Sequence, residues 1–250
     1  RLIHTGQNPD PLLKDIFFKD LELRDPDLYF GGDHTSLGGF LSNLFFGIEK
    51  EFISYRPDAV VILGDTNSAL SAILAKRFGI PVYHLEAGNR SFDQNVPEEI
   101  NRKISDHISD INLTYTEHSR RYLLSEGFRK DHVFVTGSPL FEVLYKNKAN
   151  IENSKILGKL KLEKGKYFVV SAHREENIDL GDNFLKLVEA LKNADANISD
   201  ENFLVVIHRG GAGGTGIVKA LQKQKVAEIK CESIKYPNQF LDFMRSEFKR

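Results

Sequence analysis

The stretch Ile80-Pro-Val-Tyr-His-Leu-Glu-Ala-Gly-Asn-Arg90 joins a short apolar run to a loop of charged and small residues. The run ends at Glu86, and a helix is predicted to begin at Pro97 because proline is favoured in the first turn of a helix. A buried strand, a polar loop and a helix form the repeating unit of an open α/β sheet, and such sheets bind ligands beyond the carboxyl ends of their strands. The stretch therefore predicts an α/β fold and a candidate active site after this strand.

Short β-branched runs alternate with amphipathic stretches on both sides of this stretch. That alternation is typical of a mainly parallel sheet with crossover helices. The strands predicted for one N-terminal sheet are Leu2 to Thr5, Ala59 to Leu63, Pro81 to Leu85, Ile111 to Thr114 and His132 to Val135. The predicted helices are near Pro11 to Asp20, Leu37 to Tyr55, Ser68 to Phe78, Pro97 to Ile108, Thr116 to Glu126 and Pro139 to Lys146.

The segment from Asn147 to Lys166 is polar and rich in lysine, which suits a linker that carries a short helix. We place a domain boundary there, with one domain over residues 1–150 and a second over residues 151–250. The elements predicted in the second domain are strands at Tyr167 to Ala172, Phe203 to Ile207 and Ala227 to Ile234, and helices at Phe184 to Leu191, Gly216 to Lys223 and Pro237 to the end. This second unit is short for an independent domain, so we expect a fragment.

The charges nearly cancel, with 34 basic and 35 acidic residues, which argues against a nucleic-acid or anionic membrane partner. Cys231 is alone, which excludes an internal disulfide and a cysteine-based zinc site and fits a reducing compartment. No apolar run reaches the roughly 18 residues that span a bilayer. We therefore expect a cytoplasmic protein without a metal or other cofactor.

Three residues with acid–base side chains follow predicted strands by one or two positions: Asp65, Glu86 and His173. Gly64 allows close approach of the backbone to a ligand, and the helix after it would offer free N–H groups to a phosphate or sugar oxygen. The alternative is that Asp65 or Ser68 only caps that helix. The shared position after a strand favours a common site.

Two further groups have both a structural and a functional interpretation. Glu98 and Glu99 follow Pro97 in a first helical turn, where carboxylates stabilise the helix dipole, and the sequence alone favours that structural role. His173 is either a solvated loop histidine or, because Arg174 is adjacent, part of an anion site.

His208 also ends a predicted strand and leads into the glycine-rich segment Gly210 to Gly216. Such a turn can hold a phosphate, but this one lacks the spacing of a P-loop, so it is a weak signal.

Six motifs occur in one order along the chain: His4 to Asn8, Gly64 to Thr66, His84 to Arg90, Phe92 to Arg102, Thr136 to Pro139 and Ser171 to Asn177. Together they resemble the non-hydrolysing UDP-N-acetylglucosamine 2-epimerase family. The resemblance runs from Arg1 to about Ile207. It is stronger for the branch that converts UDP-2-acetamido-2,6-dideoxy-L-talose to UDP-N-acetyl-L-fucosamine in capsule and O-antigen synthesis, and Asn89 is one of the branch-like residues.

The resemblance implies inversion at C2 by removal of its proton, elimination of UDP to a bound glycal, and re-addition of UDP. It implies that Asp65, Glu86 and Glu98 are acidic catalytic residues, and that His173 lies at the nucleotide and leaving-group side. Which carboxylate serves which face of the sugar stays open. The implied substrate-binding residues are Gln7, Asn8, Arg90, Arg102, Arg174 and His208.

The fold implied by the resemblance has two Rossmann-like domains facing a cleft, as in GT-B glycosyltransferases, and a homodimer is expected. The family's first βα unit would precede Arg1, and its uridine diphosphate segment would follow Arg250, so both domains are expected to be truncated. The segment Gly210 to Gly216 departs from the family pattern. Two alternatives stay open: a GT-B glycosyltransferase, and a sugar-nucleotide-binding fragment without catalysis.

Overall fold

The computed structural model describes residues 1–7, 14–31, 35–160, 162–164, 167–172 and 202–207. The chain divides into two compact units. The first contains Arg1–Asp10 and Arg24–Val143, and the second contains Pro11–Leu23 and Leu144–Arg250. The predicted boundary at residue 150 stays a prediction.

The described strands of the first unit are paired in parallel. They are β1 Ile3–His4, β2 Leu28–Tyr29, β3 Val60–Leu63, β4 Val82–Leu85, β5 Ile111–Thr114 and β6 Val133–Val135. β1 pairs with β2, and β3 to β6 form a four-stranded sheet in chain order. The second unit contains β7 Tyr167–Ala172 and β8 Asn202–Ile207, also parallel. The predicted α/β class is therefore confirmed.

The described helices are α1 Asp15–Asp20, α2 Leu37–Ser54, α3 Ala72–Arg77, α4 Pro97–Ile108, α5 Glu117–Ser125, α6 Leu140–Lys146, α7 Lys148–Glu152 and α8 Ile156–Leu160. In the described part of the chain, 3₁₀ helices lie at Asn67–Ser71 and Lys130–His132. None of the described helices has the length and apolar character that crossing a membrane requires.

The core of the first unit forms where α2 packs against the four-stranded sheet. The buried side chains of α2 recur every four residues, at Phe40, Leu44, Ile48 and Phe52. They cluster with apolar side chains of β3, β4 and α3, including Ile62, Val82 and Ala72. Each large apolar side chain buried in this way contributes about 1.5–3 kcal/mol, so this helix face anchors the sheet.

The prediction of one N-terminal sheet is wrong for the first strand, because β1 is hydrogen bonded to β2 and not to β3. The sequence pattern missed β2 because two residues, Leu28–Tyr29, are too few to show a periodicity. A cavity of about 570 Å³ lies between β1 and β3 and is lined by residues of both strands. A hydrogen bond of 2.6 Å between Thr5 Oγ1 and Ser68 Oγ joins the segments at one end of this cavity.

Other differences between the predicted and the described elements concern where a helix begins or how many helices a segment carries. The helix predicted at Ser68 to Phe78 starts as the 3₁₀ helix Asn67–Ser71 before α3, and the predicted linker carries α7 and α8 rather than one helix. The predicted strands at β7 and β8 are confirmed. The elements predicted at 184–191, 216–223, 227–234 and 237–250 lie outside the described residues.

The register of the sheet determines where the polar loops lie. Leu63 is paired with Leu85, and Leu85 with Leu113, so β3, β4 and β5 end side by side. The residues that follow these strands therefore share one edge of the sheet, which is the ligand edge of an open α/β sheet.

Candidate active site

The carboxyl edge of the four-stranded sheet brings together Asp65, Glu86 and Arg102. The sequence analysis expected Asp65 and Glu86 to share a site with His173. Asp65 follows β3, Glu86 follows β4, and Arg102 reaches them from α4. The Arg102 guanidinium donates to Asp65 Oδ2 from Nε at 3.2 Å and from Nη2 at 2.5 Å. Asp65 therefore pairs with an arginine rather than capping the following helix, whose N-cap residue is Thr66.

Glu86 has a backbone conformation that is uncommon for a residue with a side chain. Its φ is +66°, in the left-handed region, which costs on the order of 1–3 kcal/mol. A Cβ atom at Gly64 would lie 3.4 Å from Glu86 Oε2, so the carboxylate lies close to the Gly64 backbone. Strain of this kind is concentrated at functional sites, which supports a functional role for Glu86.

The surroundings of Glu86 raise its pKa above the usual value. Burial raises the pKa of Glu86, and the charge of Asp65 raises it further, against the lowering effects of Arg102 and His84. The pKa of Tyr115 is raised by burial and by the charge of Glu86. A carboxyl group with a raised pKa exchanges protons more readily near neutral pH, as an acid–base catalyst requires.

Glu99 is a second carboxylate near Arg102, and its environment has the opposite effect. Its side chain is fully buried and accepts hydrogen bonds from Ser91 N, Ser91 Oγ and Phe92 N at 3.0, 3.1 and 3.3 Å. Arg102 Nη1 donates to it at 2.5 Å. Although burial opposes ionisation, these donors lower the pKa of Glu99 to about 2. Glu99 is therefore a fixed negative charge at neutral pH. Glu98, by contrast, is exposed.

A buried ionic network lies behind the loop that carries Glu86. The Arg90 side chain is fully buried, with Nη1 2.7 Å from Asp106 Oδ2. Its Nε and Nη2 donate to the two carboxylate oxygens of Glu126 at 2.7 and 2.6 Å. In this conformation the predicted contact of Arg90 with substrate is not available, because its guanidinium is enclosed and engaged by two carboxylates.

The sequence matches the family described as UDP-N-acetylglucosamine 2-epimerase over residues 1–246. The chain belongs to this family. It is 34% identical over 211 residues to a UDP-N-acetylglucosamine 2-epimerase of Methanococcus maripaludis, with 83% of this chain and 57% of that protein covered. The chain thus spans little more than half the length of that relative.

Two solved epimerase structures resemble the chain. The UDP-N-acetylglucosamine 2-epimerase of Rickettsia bellii has a TM-score of 0.83 and 37% identity, covering 96% of this chain and 63% of that one. The Methanocaldococcus jannaschii enzyme, solved in complex with UDP-GlcNAc and UDP, has a TM-score of 0.81 and 29% identity, covering 97% and 67%. These likenesses confirm the predicted fold of Rossmann-like epimerase domains.

Among the residues that the epimerase resemblance assigned to substrate, Gln7 is described and lies next to the 3₁₀ helix after Asp65. Its Oε1 accepts hydrogen bonds from Ser68 N at 3.0 Å and Ser68 Oγ at 3.1 Å. The predicted site residues Asn8, His173, Arg174 and His208 lie outside the described residues.

The sequence analysis missed the buried polar face of α4. Glu99, Arg102 and Asp106 are spaced at i, i+3 and i+7, which places them on one side of the helix. Asn101 is buried as well, and its amide donates to Asn67 Oδ1 at 2.9 Å. The polar spacing was visible in the sequence, but the same spacing is typical of a solvated helix face.

Proposed function

We propose that the protein is a C2 epimerase of a UDP-2-acetamido sugar and that it works by eliminating and re-adding UDP. The observation that carries the proposal is the Glu86 carboxyl group, which is held in a strained turn, has a raised pKa and lies beside the Asp65–Arg102 pair. Family membership and the UDP-GlcNAc complex of the M. jannaschii relative support the same class of substrate.

The chemistry requires proton transfer at C2 in both directions. A base removes the C2 proton, the bond between C1 and the UDP oxygen breaks, and a C1–C2 double bond forms. UDP then adds back to C1 while C2 receives a proton on the opposite face. The C–H bond at C2, the carbon that carries the acetamido group, is only weakly acidic. Positioned acid–base groups are therefore needed, each typically worth about 10²–10⁴ in rate.

We assign the acid–base chemistry to Asp65, Glu86 and Glu98 as a set, without dividing the two sugar faces among them. Glu86 is the described member with a raised pKa, and Arg102 orients the Asp65 carboxylate. We assign His173 to the leaving-group side. Contacts with the diphosphate and sugar are proposed for Arg102, Arg174, Gln7, Asn8 and His208, because arginine forks and uncharged donors suit phosphate oxygens.

For the sugar, we propose UDP-2-acetamido-2,6-dideoxy-L-talose, with UDP-N-acetylglucosamine as the second substrate to test. The motifs that resemble this branch support the choice. One of the residues in these motifs, Asn89, lies near Glu86, with its Nδ2 3.4 Å from Glu86 Oε1. Its Oδ1 accepts a hydrogen bond from Ser119 Oγ at 3.0 Å. A role in surface polysaccharide synthesis, a cytoplasmic location and a homodimer belong to the same proposal.

The test follows the C2 proton by NMR while the protein is incubated in D₂O with each of the two sugars. Deuterium is expected at C2, faster with the deoxytalose derivative. Glu86→Gln and Glu98→Gln are each expected to slow exchange by about 10²–10⁴, because both remove an acid–base group. Glu117→Gln is the matched control, since Glu117 is exposed on α5 and pairs with Arg120.

Two outcomes would overturn the proposal. The first is a folded protein that exchanges the C2 proton of neither sugar. The second is transfer of the sugar to an added acceptor without exchange at C2, which would make the protein a glycosyltransferase on the same scaffold.

A further inference from the structure

His84 and Asp106 form a buried pair beneath the turn that carries Glu86. Their side chains are 1% and 0% exposed, and His84 Nδ1 lies 2.9 Å from Asp106 Oδ1 in a contact that is bent away from ideal hydrogen-bond geometry. On the other side of the ring, Nε2 lies 2.8 Å from the carbonyl oxygen of Gly64. Neither the proposed C2 chemistry nor the family resemblance assigns a role to His84 and Asp106.

The contacts of His84 fix the orientation of its ring. A carbonyl oxygen can only accept a hydrogen bond, so Nε2 carries a hydrogen that it donates to Gly64. On the other side of the ring, Nδ1 lies 2.9 Å from Asp106 Oδ1, while the second oxygen of that carboxylate is engaged by Arg90. Both ring nitrogens therefore have a polar neighbour in the buried interior.

The Asp106 carboxylate holds the chain on both sides of Glu86. It contacts His84, two residues before Glu86, and both of its oxygens accept from Gly88 N at 3.2 Å, two residues after Glu86. Gly88 itself is tightly enclosed, since a Cβ there would lie 2.5 Å from the carbonyl oxygen of Ser119. Glu86, with its left-handed backbone conformation, therefore lies between two residues, His84 and Gly88, that contact Asp106.

The same pair connects the other elements of the site. Through Gly64 it reaches the loop that carries Asp65, and Asp106 belongs to α4, the helix that carries Glu98 and Arg102. The buried pair thus links the ends of β3 and β4 to α4.

We propose that His84 and Asp106 are positioning residues that hold the strained Glu86 turn. Neither side chain is exposed, so neither touches substrate. The kinetic part of this inference rests on the proposed epimerase function, whereas the anchoring of the turn does not.

The groups that face Glu86 give the direction of the electrostatic effect. Burial and Asp65 raise the pKa of Glu86, whereas Arg102 and His84 lower it. Tyr115 also faces Glu86. Replacing His84 by glutamine removes one of the two lowering contributions, so the pKa of Glu86 is expected to rise further.

The first test measures the ring directly by ¹⁵N NMR of protein labelled at its eight histidines. The His84 signals are assigned by their loss in His84→Gln, or by correlation with the backbone if that variant does not fold. A hydrogen on Nε2 that exchanges slowly with solvent is expected, because the ring is buried and faces the Gly64 carbonyl oxygen. An Nε2 without a hydrogen would overturn the proposal whether or not the protein is an epimerase.

The second test measures C2 exchange in His84→Gln and Asp106→Asn. We expect kcat to fall by about 10²-fold with little change in KM, because displacing a catalytic group by about 1 Å has an effect of that size. In His84→Gln, the limb of the pH profile that reports Glu86 should also move to higher pH, which a merely structural role would not produce.

Asp110→Asn is the matched control. Asp110 anchors the opposite, amino end of β4 by accepting from Val82 N at 2.8 Å, and it also pairs with Lys76. Near wild-type kinetics are expected for this variant. A folded His84→Gln protein with the kcat and pH profile of the wild type would overturn the positioning role. Absence of exchange in the wild type would instead count against the epimerase function, and the NMR result would still decide whether His84 is anchored to Gly64.

Discussion

Replacing Glu99 with glutamine removes one negative charge from the buried side of α4 and leaves the shape of the side chain nearly unchanged. The wild-type carboxylate accepts from Ser91, Phe92 and Arg102 and is fully buried. Glutamine resembles the protonated form of this group, so the variant isolates the contribution of the charge.

The magnitude follows from the pKa of Glu99, which the structure lowers from 4.5 to about 2. At 1.36 kcal/mol for each pKa unit, that shift corresponds to an upper limit of about 3 kcal/mol of folding stability. The amide oxygen of glutamine can still accept some of these hydrogen bonds, so we expect the free energy of unfolding to fall by about 2 kcal/mol. For a chain of 250 residues, this corresponds to a drop in Tm of about 4–8 °C.

The sign of the pH dependence gives a sharper test. Because the folded pKa is below the unfolded one, the contribution of Glu99 is complete above pH 4.5 and is lost as the pH falls towards 2. Urea unfolding of wild type and Glu99→Gln, measured from pH 7 downward, should therefore show a difference that shrinks below pH 4.5. A difference that stays constant down to pH 3, or one below about 0.5 kcal/mol at pH 7, would refute the reasoning.

Glu98→Gln is the matched control for stability. Glu98 is the neighbouring residue in the same helical turn but is exposed. Its replacement should change the free energy of unfolding by less than about 0.5 kcal/mol, since substitutions at exposed positions without special contacts have effects in this range.

Two further predictions concern a glycine and the core. Gly64→Ala should lower the unfolding free energy by about 1–2 kcal/mol because φ is +71°. It should also slow C2 exchange, because the new Cβ would lie 3.4 Å from Glu86 Oε2. Gly127→Ala, with φ +94° and open space around the residue, should lower stability only. Leu44→Ala should cost about 2–5 kcal/mol in urea unfolding because Leu44 is 1% exposed, whereas Phe46→Ala, at a residue 69% exposed, should cost far less. Equal exchange rates for Gly64→Ala and Gly127→Ala would contradict the first prediction. Equal stabilities for Leu44→Ala and Phe46→Ala would contradict the second.

The sequence predicted the strands of the main sheet because each is a short apolar run bounded by turn residues, and such runs carry a local signal. It predicted the meeting of Asp65 and Glu86 for a topological reason: parallel strands end at a common edge. It failed for β1, since which strand pairs with which is decided by long-range contacts. No local sequence pattern shows that β1, Ile3–His4, pairs with β2, Leu28–Tyr29, rather than with β3.

Arg90 shows why a residue in a functional motif is difficult to assign from sequence. An arginine next to a catalytic loop is compatible with a phosphate ligand and with a buried ion pair. The choice depends on whether carboxylates from distant parts of the chain reach it. Asp106 is 16 positions away and Glu126 is 36 positions away, so the two partners that enclose Arg90 could not be inferred from spacing.

The two glutamates near Arg102 show how one side-chain type acquires two functions. Glu99 is more deeply buried than Glu86, yet its pKa falls while that of Glu86 rises. Burial therefore does not decide the direction in which the pKa of these two carboxyl groups shifts. The number of hydrogen-bond donors around each carboxyl group does. Backbone N–H groups and a guanidinium surround Glu99 and stabilise its ionised form, whereas Glu86 has a weak amide contact and a neighbouring negative charge. Environments that move the pKa values of two carboxyl groups apart separate a fixed charge from a proton carrier. By this argument, Glu99 maintains the architecture of the site, and Glu86 is the described carboxyl group suited to transfer a proton.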